Sequence, residues 1–307
     1  MTRLLPLLTA LLALFALAPA RAAEPAGPGR LIEYRDIEAA GLPTQRLTIW
    51  LPPGYDADRA RRYPVLYMHD GHNLFDPANA SFNKVWAADK AMLAVTADGS
   101  VRPHIIVGVW APGADRYRQY LPRPVYEAAA PPLRARMDQF AGGPVVSDAY
   151  LAWLAGPLKQ WVDASFRTLP GRNDTAIAGS SMGGLMSCYA FIERPEIYGR
   201  AACISSHWPS TDPTAPELDN AALAAFWRGW FAANLGQADG RRLWLDHGTA
   251  TLDAFYAPYQ QQVDAGIAEA GWPRGSAWES RVYEGAEHEE NTWAARLPEV
   301  LRWVLAE

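Results

Sequence analysis

The chain has little of several things, and each shortage excludes something. Cysteine is scarce, with only Cys188 and Cys203 in 307 residues, and neither sits in a pattern that reads as a nucleophile or a metal ligand. Net charge is −5, so no basic surface is available for nucleic acid. No lysine-rich face suggests a membrane surface, and no repeat of solenoid or propeller period runs through the chain. Apolar runs long enough to approach a bilayer span are confined to the first residues. There Arg3 precedes the apolar stretch from Leu4 to Leu17, and Ala18-Pro-Ala-Arg-Ala-Ala23 offers small-residue cleavage positions. This is the pattern of a secretory signal peptide over residues 1–22, which places the protein in the periplasm or outside the cell. Residues 23–307 then form one domain of ordinary α/β size.

An oxidising compartment permits a Cys188–Cys203 disulfide, but the spacing argues against it. Cys188 falls on a predicted helix and Cys203 on the next predicted strand. With a helix axis about 10 Å from a sheet, their Cα atoms are expected beyond the ~7 Å a disulfide spans.

What is present in quantity is apolar residue, half of the chain, arranged in short buried runs between helical segments. Arg30–Ile37 and Gln45–Leu51 alternate as two antiparallel strands around a Gly41-Leu42-Pro43 turn. Tyr63–His69, Pro103–Trp110, Asn173 onward, Arg200–Ser205, Arg242–His247 and Arg281–Tyr283 read as further strands. Helices are expected over Lys84–Val95, Tyr150–Phe166, Leu185–Glu193, Leu252–Ala270 and Thr292–Ala306. Strands alternating with helices predict an α/β fold, a mostly parallel sheet with helices on both faces. Two irregular stretches, Ala111–Val146 and His207–Gly240, read as excursions over the sheet edge that cap the site. Trp is abundant, at 13 residues. Most are core, while Trp110 and Trp208 follow strands that lead toward the site.

The chemistry centres on Thr175-Ala-Ile-Ala-Gly-Ser-Ser-Met-Gly-Gly-Leu-Met186. A buried strand, a sharp turn and a helix, with Gly179 and Gly183 flanking Ser181, make a nucleophile elbow. The turn holds the serine in a strained backbone position with its hydroxyl clear of the sheet, and the helix start supplies free N–H groups. A serine nucleophile needs a base and an acid after it in the chain. His288, in the loop between the last strand and last helix, is the base. Asp253, at the start of a helix, is favoured as acid over Asp246, which is still inside its strand; Glu287 and Glu289 are outside candidates. The N–H groups of Met182 and His72 are the candidate oxyanion donors, with Gly71 allowing close approach. The spacing of His69, Asp70 and His72 would permit a metal site, but no third cluster joins them, so the reading requires no metal or other cofactor.

Three stretches together, Tyr63–Phe75, Ile177–Leu185 and Tyr283–His288, resemble the Putative esterase family of α/β-hydrolases, which includes enterochelin esterases, esterase D, feruloyl and acetyl-xylan esterases and mycolyltransferases. The similarity is strongest to the siderophore-esterase-like branch, through the Asp70-Gly-His-Asn-Leu-Phe75 loop and Arg116-Tyr-Arg-Gln-Tyr120-Leu-Pro122. It implies a serine hydrolase of small-molecule carboxylic esters with Ser181 and His288 at its centre, either as a triad or as a Ser–His dyad. It also implies that Arg116, Arg118 and Tyr120 contact the substrate; the chain's own pattern adds Gly71, in the oxyanion loop, and Trp110, after a strand that leads toward the site. A siderophore-type trilactone is the first substrate implied; feruloyl or acetyl-sugar esters, or acyl transfer, are the alternatives.

Overall fold

A computed structural model describes residues 28–306. The signal-peptide reading of residues 1–22 lies outside them. Among the described residues no helix is long and apolar enough to cross a membrane.

Eight strands form one sheet: β1 Arg30–Ile37, β2 Gln45–Leu51, β3 Val65–His69, β4 Ile105–Val109, β5 Thr175–Ser180, β6 Arg200–Ile204, β7 Arg242–Gly248 and β8 Trp278–Tyr283. Their order is β1-β2-β4-β3-β5-β6-β7-β8. β2 pairs antiparallel with both its neighbours, and every other pairing is parallel. This is the α/β-hydrolase arrangement.

The run Val65-Leu-Tyr-Met68 shows why continuous apolar strands are needed. Val65 and Tyr67 join a core on one face of the sheet, while Leu66 and Met68 join a second core on the other. Successive side chains point to opposite faces, so a strand covered on both sides must be apolar at every position. The first face is covered by the helices Met182–Glu193, Asn220–Asn234 and Ala257–Glu269. The second is covered by Ala88–Ala97 and Glu290–Leu305.

The Ala111–Val146 excursion contains a 3-10 turn, Gly113–Asp115, and three short α-helices, Arg116–Tyr120, Arg123–Ala128 and Pro131–Ala141. The last two carry prolines in their first turn, which tolerates them because its N–H groups have no partner there. The helix predicted over Tyr150–Phe166 spans Ser147–Ser165, widening to a π turn at Leu154–Leu158 around Pro157.

Cys188 and Cys203 form a disulfide, with Cα atoms 5.8 Å apart. The expectation of two free thiols was wrong because it measured from the helix axis. Cα atoms lie ~2.3 Å off that axis, so a residue on the sheet-facing side is closer than the axis spacing suggests. The approach is tight here: a Cβ added to Gly184 would lie 3.0 Å from the Ile204 carbonyl oxygen.

Candidate active site

At the end of β5 the chain turns through Ser181 with φ 57° and ψ −125°, a conformation that costs a side-chain-bearing residue about 1–3 kcal/mol. Two features impose it. The Ser181 N–H donates to the Ile204 carbonyl at 3.0 Å, and the His207 N–H donates to the Ser181 carbonyl at 3.1 Å. The helix that follows is buried from Met182 through Ile192. Each fully buried Leu, Met or Phe in it contributes roughly 1.5–3 kcal/mol, so its packing outweighs the strain. The turn also needs glycine. A Cβ at Gly179 would sit 2.6 Å from the Gly183 carbonyl oxygen. Met182 opens the helix, where the first N–H groups have no intrahelical partner.

Ser181 and His288 line one cleft of about 570 Å³, together with Asp70, His72, Arg116 and Trp293. His288 Nδ1 lies 2.5 Å from Asp253 Oδ1. The other carboxylate oxygen, Oδ2, accepts from Ser205 Oγ at 2.6 Å and from the Gly248 N–H at 2.6 Å. Burial alone would raise the Asp253 pKa, but His288 and these donors hold it below the ordinary carboxylate value. Asp246 is fully buried and turned away from His288. It accepts from Arg296 Nη2 at 2.7 Å and Trp244 Nε1 at 2.7 Å, and burial raises its pKa. Glu287 and Glu289 flank the histidine without taking Asp253's place. Glu289 accepts from the Thr292 N–H and pairs with Lys84 at 2.7 Å.

The loop after β3 begins with Asp70 in a left-handed conformation, φ 56°. Its carboxylate is gripped by Arg116 through two bonds of 2.6 and 2.7 Å. Burial works to raise the Asp70 pKa, yet the guanidinium beside it keeps it below the usual value. His72 lines the cleft from the same loop. Glycine is needed at position 71: a Cβ there would meet the Gly108 backbone at 2.5 Å, so Gly71 permits the loop to lie against β4.

Of the expected substrate contacts, only Arg116 lines the cleft. Tyr120 is fully buried under the loop, where its hydroxyl accepts from the Asp70 N–H. Arg118 turns to Asp115. Trp110 donates to Thr48 and lies under the Arg46 guanidinium. Trp208 is fully buried, with Nε1 bonded to Gln260. An apolar body needs covering wherever it lies, so position after a strand did not bring these side chains to the site. Among the described residues no group of three or more His, Cys, Asp or Glu is placed to hold a metal ion.

Sequence reasoning missed Phe82, Lys84 and Glu290, which also line the cleft, and Ser205 and Arg296 behind it. Phe82 is 88% exposed at the rim. Beside Ser181 on the other side opens a second depression of about 460 Å³, lined by Tyr117, Phe140, Met182, His207, Pro213 and Leu252. There His207 donates from Nε2 to the Thr211 carbonyl and accepts at Nδ1 from Tyr256. Burial first, then His288 nearby, lowers its pKa to about 3, so it stays neutral.

A mostly parallel eight-stranded sheet, with a strained turn leading from its central strand β5 into a buried helix, defines the α/β-hydrolase fold class. The chain belongs to the Putative esterase family, whose sequence pattern it matches over residues 44–304, and is a carboxylic ester hydrolase. It is 22% identical over 261 residues to a Bacillus subtilis (strain 168) protein named "Uncharacterized protein YbbA", covering 85% of this chain and 92% of that one. Its fold is similar to that of a ferulic acid esterase, with TM-score 0.63, 17% identity and coverage of 90% and 98%. It is also similar to the enterobactin esterase FES from Shigella flexneri, with TM-score 0.59, 14% identity and coverage of 89% and 59%. An IroE-like serine hydrolase from Shewanella oneidensis aligns at TM-score 0.61 and 17% identity, covering 89% and 79%.

Proposed function

We propose that the protein hydrolyses carboxylic esters through a Ser181–His288–Asp253 triad. The observation that carries this is the 2.5 Å bond from His288 Nδ1 to Asp253, made by a histidine that shares a cleft with the elbow serine. With Nδ1 bound to the carboxylate, Nε2 is the nitrogen left to take a proton. Ser181 Oγ attacks the ester carbonyl as His288 removes its proton, and the N–H groups of Met182 and His72 receive the oxyanion. His288 then protonates the leaving alcohol, and water attacks the acyl-enzyme by the same base. Asp253 stays ionised throughout and steadies the imidazolium.

The cleft also bears on the ester. Its cations are already engaged, Arg116 by Asp70 and Lys84 by Glu289, while Glu290 adds a further carboxylate. This charge balance suits an uncharged ester, whether an iron-free aryl trilactone or a feruloyl or acetyl sugar. It disfavours a ferric trilactone, whose catecholates are anionic. Export to the periplasm or beyond fits the Cys188–Cys203 disulfide, since such bonds persist in oxidising compartments.

Hydrolysis of p-nitrophenyl butyrate by wild type and by Ser181→Ala tests the reading. Ser181→Ala is expected to lose at least roughly 10³-fold in kcat, and unchanged turnover would remove Ser181 as nucleophile.

A further inference from the structure

Behind His288 lies a chain of buried polar groups that the ester-hydrolase reading leaves unused. It joins the two aspartates that compete in the sequence for the role of acid. Arg296, 5% exposed on the last helix, sends one nitrogen, Nη2, to two acceptors: Asp246 Oδ1 at 2.7 Å and Ser205 Oγ at 2.7 Å. Trp293 Nε1 also donates to Ser205 Oγ, at 3.1 Å. Ser205 Oγ in turn stands 2.6 Å from Asp253 Oδ2.

The inventory of a hydroxyl determines which way these bonds run. It has one proton and two lone pairs. A guanidinium and an indole N–H can only donate, so Arg296 and Trp293 occupy both lone pairs of Ser205. Its single proton then has one acceptor left, the Asp253 carboxylate. Ser205 is held there at φ 41°, in the left-handed region, with its N–H shared between the backbone and side-chain oxygens of Asp246 at 2.9 and 3.2 Å. A non-glycine residue seldom adopts that backbone unless its surroundings impose it.

We infer that Ser205 is a positioning residue for the acid of the triad, its hydroxyl locked toward Asp253 by Arg296 and Trp293, with Asp246 serving as the counter-charge that keeps Arg296 in place. The inference rests on the triad reading. Two donors on Oδ2, from Ser205 and Gly248, fix the rotation of the Asp253 carboxyl and turn Oδ1 to His288. They also draw electron density away from the oxygen facing the imidazole.

The test is the pH dependence of kcat/KM for p-nitrophenyl butyrate in Ser205→Ala and Ser205→Cys; threonine is unsuitable because β-branching at φ 41° adds strain. Without the Ser205 donor the carboxylate holds more charge on Oδ1 and stabilises the imidazolium of His288 more strongly. The free-enzyme histidine must be neutral to act as base, so the acid limb should move to higher pH, by about half a unit in Ser205→Ala. kcat should fall roughly tenfold with KM within about twofold, because what is lost is orientation of the catalytic base. Ser205→Cys, near in size and a weaker donor, should shift the limb the same way by less.

The other groups facing this pair are neutral His207 and Tyr256 behind it, and Asp70, Arg116, His72, Lys84, Glu289 and Glu290 across the cleft. None is altered by either variant. A folded Ser205→Ala or Ser205→Cys with the wild-type acid limb and kcat overturns the inference, and Ser205→Cys alone decides it if the alanine variant does not fold. The outcome is separable from failure of the ester-hydrolase reading, in which Ser181→Ala would retain turnover.

Discussion

Two aspartates accept from Ser205, Asp246 from its N–H and Asp253 from its hydroxyl, and what distinguishes them is the charge each one faces. Asp253 has a histidine on one oxygen and two neutral donors on the other. Asp246 faces a guanidinium and reaches His288 only indirectly, through Arg296, Ser205 and Asp253. Their substitutions should therefore separate. Asp253→Asn keeps the packing but replaces an acceptor by an amide, and kcat should fall roughly 10³-fold or more with little change in melting temperature. Asp246→Asn leaves Arg296 as a buried cation without its counter-charge, which costs about 3–5 kcal/mol in such settings. It should lower the melting temperature far more than Asp253→Asn does, while kcat of the folded fraction stays within roughly tenfold of wild type. Parallel thermal melts and p-nitrophenyl butyrate kinetics on both variants make the comparison; equal kinetic losses with equal stability would erase the distinction. The Asp253–His288 contact joins two residues that chain order alone had singled out. Ser205 and Arg296 were not singled out, because they meet across 91 residues of sequence and no local spacing reveals a bond of that range.

At the scale of elements, legibility follows how far a residue's fate depends on its neighbours in sequence. β1 and β2 were read to the residue, since alternation and the intervening turn are local. The helix expected from Lys84 begins only at Ala88, because Lys84 is extended and Ala87 takes a positive φ that periodicity does not encode. The short helices of the excursion were passed over because each is only one to three turns long. The disulfide was misread, and it ties the elbow helix to β6 at the level of the site. Bridging residues separated by 15 positions should stabilise by about 3 kcal/mol, mainly by restricting the unfolded chain. The double variant Cys188→Ser/Cys203→Ser should therefore melt roughly 5–10 °C lower than oxidised wild type. Reductant should lower the wild-type value and leave the variant unmoved; a variant melting with wild type would show that the bond contributes nothing to stability.

For the whole molecule, the question is how an excursion with so little apolar periodicity stays docked on the sheet. Its inner anchor is the Arg116–Asp70 pair. Arg116 belongs to the excursion and Asp70 to the loop after β3, and the Tyr120 hydroxyl accepts from the Asp70 N–H beneath them. Asp70 Oδ2 would also lie 3.2 Å from a Cβ built on Gly183, so the carboxylate sits against the start of the elbow helix. On the proposed mechanism an unneutralised carboxylate there would oppose an oxyanion at the same helix end, and Arg116 would then serve the reaction besides docking the excursion. The pH dependence follows from the sign of the Asp70 shift. Its folded pKa is depressed below the ordinary aspartate value of about 3.9, so its contribution is fully present above that value and is lost as pH falls through the lower folded one. Wild-type melting temperature should thus be insensitive to this pair from neutral pH down to about 5 and should decline below about 4. Asp70→Asn should melt about 5 °C lower at pH 7 and converge with wild type in acid, since a protonated carboxyl and the substituted amide both leave Arg116 without a charged partner. Activity should follow a different order. Arg116→Met, which strands the Asp70 charge beside the elbow helix, should lose more kcat than the double variant Arg116→Met/Asp70→Asn, which removes both charges. If the double variant is no more active than Arg116→Met, the pair docks the excursion without shaping the field at Ser181.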